Sequence, residues 1–166
     1  MSFLILGDPG RSYRSYVILF PNWGKKLFLV KSHRHGYWEL PGGGAEHGDN
    51  GSTWHSKGWK TMEREWREET GKNLPRINAY KKLSLKNSYY NIGVKYYYIA
   101  RSSSSINLPS NGQVYGDGSV HRWTLMTVDE ALRRGDRGIR GDHWEALKIA
   151  KKEGYIGKHG LHTWDI

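Results

Sequence analysis

Three glutamates, Glu65, Glu68 and Glu69, stand at i, i+3 and i+4 in the run Arg64-Glu65-Trp66-Arg67-Glu68-Glu69-Thr70-Gly71. On a helix those positions share one face. Like charges crowded there repel one another unless something cationic sits among them. Mg²⁺ or Mn²⁺ answers that need, because these hard ions take carboxylate oxygens together with substrate phosphates. A glycine run, Pro41-Gly42-Gly43-Gly44, precedes the acidic stretch, and glycines before a helix allow close backbone approach to phosphate. The spacing points to metal-dependent phosphate chemistry. An ordinary solvated helix face would place lysines at i+4; here Glu65 meets Glu69 instead.

Charge along the chain supports the same chemistry. The net charge is +10, yet Glu39, Glu46, Asp49, Glu63, Glu65, Glu68 and Glu69 make up 7 of the 16 acids. Ahead of Glu39 the sole acid is Asp8, against Arg11, Arg14, Lys25, Lys26, Lys31 and Arg34. Between Glu69 and Asp129 the sole acid is Asp117. An acidic knot inside a basic body suits a metal site that receives an anionic substrate.

The elements that must carry these residues follow from periodicity and turn chemistry. The 166 residues suffice for one domain, 1–166, and eight Trp with eleven Tyr compensate for 37% hydrophobic content. Segments 15–20, 26–31 and 37–40 read as strands, followed by a Gly-rich turn. Residues 49–58 read as a polar loop in which Ser56 could cap the next helix. Helix is expected over 60–70, with Met62 and Trp66 toward the core and Gly71 as the C-terminal cap. Strands are expected over 78–86, 93–101 and 120–126, with a long polar loop over 102–118. Thr127 should cap a helix beginning at Val128, and 142–153 reads as a second amphipathic helix. Without cysteines there are no disulfides or thiolate metal sites. No apolar stretch approaches a membrane span and no signal peptide is evident, so a cytoplasmic protein is the expectation.

The stretch from Leu40-Pro41-Gly42-Gly43-Gly44-Ala45-Glu46 through Arg64-Glu65-x-x-Glu68-Glu69-Thr70-Gly71 resembles the Nudix box of Nudix (MutT-like) hydrolases. The resemblance departs from the family pattern in three places. Asp49 stands where the family has Glu, 14 residues instead of seven separate it from Arg64, and Lys72 occupies the closing apolar position. The added residues fall in 50–59 and include Trp54, His55 and Trp59.

The resemblance implies an α/β/α sandwich around a mixed β-sheet and a set of roles. Glu68 and Glu69 would be metal ligands, and Glu65 a further ligand or the general base that activates water. Arg64 would orient Glu65 through a charge-assisted hydrogen bond. Asp117 is a candidate additional ligand, with an ordinary Gly-Asp-Gly turn as the alternative. Gly43, Gly44, Arg11, Arg14 and Arg34 are candidates for holding substrate phosphate, Lys31 more plausibly a solvated lysine. His33 and His35 flank Arg34 and could bind phosphate or move a proton, although loop histidines are more often bystanders. Trp54, Trp59, Tyr89 and Tyr90 could stack a base, packing being the plainer role for each.

The expected activity is Mg²⁺- or Mn²⁺-dependent hydrolysis of a phosphoanhydride in a nucleoside diphosphate linked to another moiety. The basic lead-in also resembles diphosphoinositol polyphosphate phosphohydrolases, and an mRNA cap or other RNA 5′ end is a further option. From another class, the same scaffold could be a non-catalytic nucleotide- or RNA-binding module. The intact glutamate trio argues against that alternative.

Overall fold

The structure, a computed structural model, describes residues 13–32, 34–46, 49, 58–86, 93–108, 113–116, 119–157 and 160–161. Its first strand explains the architecture. In β1 (Tyr13–Phe20) the run Val17-Ile18-Leu19-Phe20 is apolar at every position, and each of these residues is fully buried. A strand hydrophobic on both faces needs a layer on each side. Tyr16, Ile18 and Phe20 feed one core, Val17 and Leu19 the other.

Both layers are helical. The next elements are β2 (Lys26–Ser32), β3 (Gly42–Gly44) and α1 (Trp59–Thr70). They are followed by β4 (Ala79–Lys86), β5 (Val94–Arg101), β6 (Gln113–Gly116) and β7 (Ser119–Thr127). Helices α2 (Val128–Gly138) and α3 (Gly141–Lys152) and the two-residue strands β8 (Ile156–Gly157) and β9 (Gly160–Leu161) complete the described chain. Met62 and Trp66 of α1 close the core shared by Val17, Leu19, Phe28, Val30, Tyr98 and Ala100. Val128 and Ala131 of α2, with Ala146, Leu147 and Ala150 of α3, close the opposite core. The expected α/β/α sandwich is therefore present.

The strands form a four-stranded sheet in the order β3-β1-β5-β4, a three-stranded sheet β2-β7-β6 and the small pair β8-β9. The first is mixed, since β1 runs parallel to β5 and antiparallel to β3, while β4 is antiparallel to β5. The segment before β3 joins the two main sheets' neighbourhood through single bridges, Val30–Glu39 and Trp38–Ile139.

Several local expectations need correction. The glycine run is a short edge strand on β1, with Ser15 opposite Gly43, where the sequence suggested a turn. Residues 37–40 make isolated bridges, and no continuous strand forms there. The polar segment 102–118 contains β6. Gly58 is the N-cap of α1, with φ 93°, and Ser56 lies outside the described residues. A Cβ at Gly58 would come within 2.8 Å of the Tyr96 ring and 3.0 Å of Tyr98 OH, so close packing decides this end of the helix. Gly71 ends α1 in the left-handed conformation, and Thr127 Oγ1 caps α2 by accepting from Glu130 N–H at 3.1 Å. Among the described residues no helix is long and apolar enough to cross a membrane.

Trp66 is the largest side chain holding α1 against the sheet, 5.0 Å from the Phe28 ring. Trp66→Ala is expected to lose about 3–5 kcal/mol of stability in urea unfolding. Trp66→Phe should lose less, because it also removes a buried indole N–H that has no acceptor among the described residues. A Phe variant as unstable as the Ala variant would show that volume alone does not hold this helix.

Candidate functional site

The glutamates meet the glycine strand because α1 packs across β3. Glycine at 43 is required by that approach: a Cβ there would lie 2.6 Å from Glu65 Cδ and Oε1. Gly42 is constrained differently. Its φ is 149°, and a Cβ would fall 2.2 Å from the Ser15 carbonyl and 2.6 Å from Tyr16 Cα. Gly42 thus admits the close pairing of β3 with β1, and Gly43 admits a carboxylate. Gly44 faces open space at the corresponding position, and its carbonyl accepts from Arg64. The Gly42 N–H is directed to Glu69 Oε1 at 3.4 Å, and Glu69 is 8% exposed.

Arg64 is the centre of the site. Its Nε and Nη2 donate to the two oxygens of Asp49, both at 3.0 Å, in a fork-on-carboxylate pair. Nη2 also donates to the Gly44 carbonyl at 2.8 Å. Nη1 donates to Glu68 Oε2 at 3.0 Å and to Glu65 Oε1 at 3.3 Å, with Glu46 Oε1 at 3.5 Å. Burial disfavours the guanidinium charge, but the surrounding acids outweigh it and hold the group above arginine's ordinary range. The expected Arg64–Glu65 contact is present, as one of five.

Asp49 is enclosed by donors. Besides Arg64, its Oδ2 accepts from Thr61 Oγ1 at 2.8 Å and from Glu46 N–H at 2.9 Å. Burial alone would raise its pKa; the hydrogen bonds from Arg64, Glu46 N–H and Thr61 overcome that and lower it. Asp49 therefore anchors Arg64. The inserted residues 50–57 leave that pairing intact, even though they made Asp49 hard to place from sequence.

Other candidates lie apart from this group. Arg14 is exposed and reaches the Tyr16 hydroxyl at 3.4 Å. It shares the β1 face that carries Tyr16 and Ile18, whereas Tyr13 and Val17 face α1. Its side chain is consequently on the far face from the glutamates. Arg34 is exposed in the loop after β2, His35 stacks on Tyr37 at 5.1 Å, and Lys31 lies 4.7 Å over the Trp38 ring. Trp59 packs edge-on to Tyr98 at 5.0 Å and against Tyr80 at 4.9 Å. Arg11, His33, Trp54, Tyr89, Tyr90 and Asp117 fall outside the described residues.

Sequence reasoning missed Thr61 and Gly42, whose roles depend on what folds against them. It also missed a second polar group on the other sheet face. There Asp142 accepts from Lys95 at 3.0 Å and lies 2.7 Å from Arg140 Nε. Glu39 stands nearby, its pKa raised by burial despite the opposing charges of Arg140 and His35.

As they stand, no three acidic or histidine side chains among the described residues form a metal-holding group. The donor chemistry nevertheless fits a hard cation. Glu65 and Glu69 carry oxygens against the bare β3 backbone, and Glu68, 39% exposed at its side chain, stands on the same helix face.

Because Asp49 titrates below its usual range, its contribution is present above about pH 4 and is lost as pH falls through the lowered value. Asp49→Asn should cost about 2 kcal/mol at neutral pH, by removing charge from a half-buried pair. The gap from the parent should be smaller at acidic than at neutral pH, closing as pH falls through the lowered value. Urea unfolding at both pH values checks this; a gap that widens on acidification would contradict the assigned sign.

The NUDIX domain family model matches residues 12–146 of the chain. A search of curated proteins by sequence gives no match. Among solved structures, the NUDIX domain of Shewanella oneidensis NrtR, complexed with ADP ribose, aligns with TM-score 0.57 at 19% identity, covering 92% of this chain and 96% of that one. A Caenorhabditis elegans (C. elegans) Ap4A hydrolase aligns with TM-score 0.56 at 16% identity, over 84% and 94% of the two chains. A bifunctional NMN adenylyltransferase/ADP ribose pyrophosphatase from Francisella tularensis aligns with TM-score 0.58 at 17% identity, covering 90% of this chain and 44% of that longer one. With the family model spanning most of its length, from the strand that pairs with the glycines to the last long helix, this chain belongs to the Nudix family.

Proposed function

We propose that the chain is a single-unit, Mg²⁺- or Mn²⁺-dependent Nudix pyrophosphohydrolase that cleaves a phosphoanhydride in a nucleoside diphosphate linked to another moiety. The observation that carries this reading is the Glu65 carboxylate set against the bare Gly43 backbone while Arg64 holds the same face of α1. The similar NUDIX domain complexed with ADP ribose, the ADP ribose pyrophosphatase and the Ap4A hydrolase favour a nucleotide-type substrate.

In this mechanism Glu65, Glu68 and Glu69 would hold the cation. When bound, it neutralises phosphate charge and lowers the pKa of water. Glu65 takes a proton from the attacking water as the new O–P bond forms. The bridging P–O bond breaks, and each product leaves with a terminal phosphate. Arg64 keeps Glu65 in place, and Asp49 keeps Arg64 from swinging away.

A second reading has one specific observation behind it. NrtR, whose structure is similar here, is also described in complex with a 27mer DNA. A binding module of that kind would show metal-independent, salt-sensitive binding without turnover. The retained glutamate trio favours the hydrolase.

Three variants and a chelator test the proposal on a panel of dNTPs, ADP-ribose, diadenosine polyphosphates, diphosphoinositol phosphates and capped RNA. Phosphate-bond cleavage should vanish with EDTA and return with excess Mg²⁺ or Mn²⁺. Glu68→Gln should lower kcat by about a hundredfold or more while melting normally; full activity in this variant would refute the site assignment. Gly43→Ala should also fold, because the group it meets is the mobile end of Glu65, yet lose activity by displacing that carboxylate. Gly42→Ala, which meets backbone, should fail in stability first.

A further inference from the structure

The segment entering β3 is tied to the junction of α2 and α3 by a ladder that stops early. Trp38 N–H donates to the Gly138 carbonyl and the Trp38 carbonyl accepts from Arg140 N–H, both at 2.9 Å, around the parallel Trp38–Ile139 bridge. The next rung of such a ladder would run from Leu40 N–H to the Arg140 carbonyl. That carbonyl is already used, because it accepts Trp144 N–H at 2.9 Å as α3 begins. Leu40 is 1% exposed, so its N–H would otherwise be an unmet donor in the core. His143 Nδ1 accepts it at 2.9 Å.

We propose that His143 is a positioning residue for the candidate site: its Nδ1 replaces the missing rung and holds Leu40-Pro41 in the register at which Gly42 and Gly43 meet Glu69 and Glu65. The activity part rests on the hydrolase reading; the structural part does not.

The chemistry of the imidazole suits this task. An Nδ1 that accepts an N–H leaves the ring proton on Nε2. Nε2 has no hydrogen-bond partner among the described residues, its nearest charged neighbour being Asp142 Oδ2 at 3.9 Å. Burial, the dominant influence, pushes the pKa down to about 3; Asp142 opposes this, and Arg140, Lys95 and Arg14 reinforce it. The ring is therefore neutral wherever the protein is folded and assayed, and Nδ1 remains an acceptor. Tyr16 meets the ring edge-on at 4.4 Å and fixes its plane. A leucine would fill this space and remove the unpartnered Nε2, but it would leave Leu40 N–H unmet, so the histidine is accounted for by Leu40.

Amide hydrogen exchange and kinetics on the full chain separate positioning from packing. His143→Leu retains bulk and loses the acceptor. His143→Asn loses bulk and retains it, since its Oδ1 stands at the same bond count from Cβ as Nδ1. In His143→Leu, exchange at the Leu40 amide should speed up by about tenfold or more relative to β5 amides. On whichever panel substrate the parent cleaves, kcat should fall by about a hundredfold with little change in KM. His143→Asn should recover Leu40 protection and most of kcat, with the limbs of the pH profile unmoved. The opposite order, Leu tolerated and Asn impaired, would overturn the proposal, as would unchanged Leu40 protection in His143→Leu. If the parent cleaves nothing on the panel, the hydrolase reading fails while the exchange result still decides the role of His143.

Discussion

One guanidinium ties the site together. Arg64 touches a strand carbonyl, an aspartate upstream of its helix and two glutamates on its own helix. A lysine could not do this, since a point charge lacks the planar fork that engages both oxygens of Asp49 and still leaves donors for Gly44 and the glutamates. The pairing also counters a cost built into the site. Carboxylates packed along one helix face repel, and Arg64 offsets that repulsion within the protein itself. The same cation holds Glu65 and Glu68 together on one face of α1.

The two cores explain why so small a strand as β3 can be a reliable platform. It hangs on β1, whose apolar residues are locked on both faces, and it is overlaid by α1, whose Trp66 and Met62 are fully buried beside the glutamates. Position is transferred from core to site through a single helical turn. On the other side, the approach to β3 is held by Val30, by the α2–α3 junction and by a buried histidine. The carboxylates of α1 thus lie against a strand restrained from both layers of the sandwich.

Much of this was legible from sequence because it is periodic. The strands expected over 78–86 and 93–101, the helical spacing of Met62 and Trp66, Gly71 as a C-cap and Thr127 as an N-cap are local signals, and all are realised. The failures are non-local. A Gly-Gly-Gly run has no strand propensity of its own; it is extended because β1 pairs with it and Glu65 overlies it. Gly58 caps α1 because aromatic rings leave no room for a Cβ, which no local pattern announces. Arg14 looked like a phosphate clamp because it is basic and near the first strand, but strand alternation turns it to the far face. His143 reads in sequence as one more residue of an amphipathic helix; its partner is 103 positions away.

The insertion between Asp49 and α1 begins and ends beside bonded side chains. Asp49, before it, is bonded to Thr61 and Arg64, after it, so the base of the loop is stapled shut by side chains. The cost of closing a loop grows slowly with length, about 0.6 kcal/mol per doubling, and a staple at its root keeps even that change from reaching the carboxylates. The ion pair thus joins a point before the insertion to a point after it, and fixes the distance between them whatever length of chain lies in between.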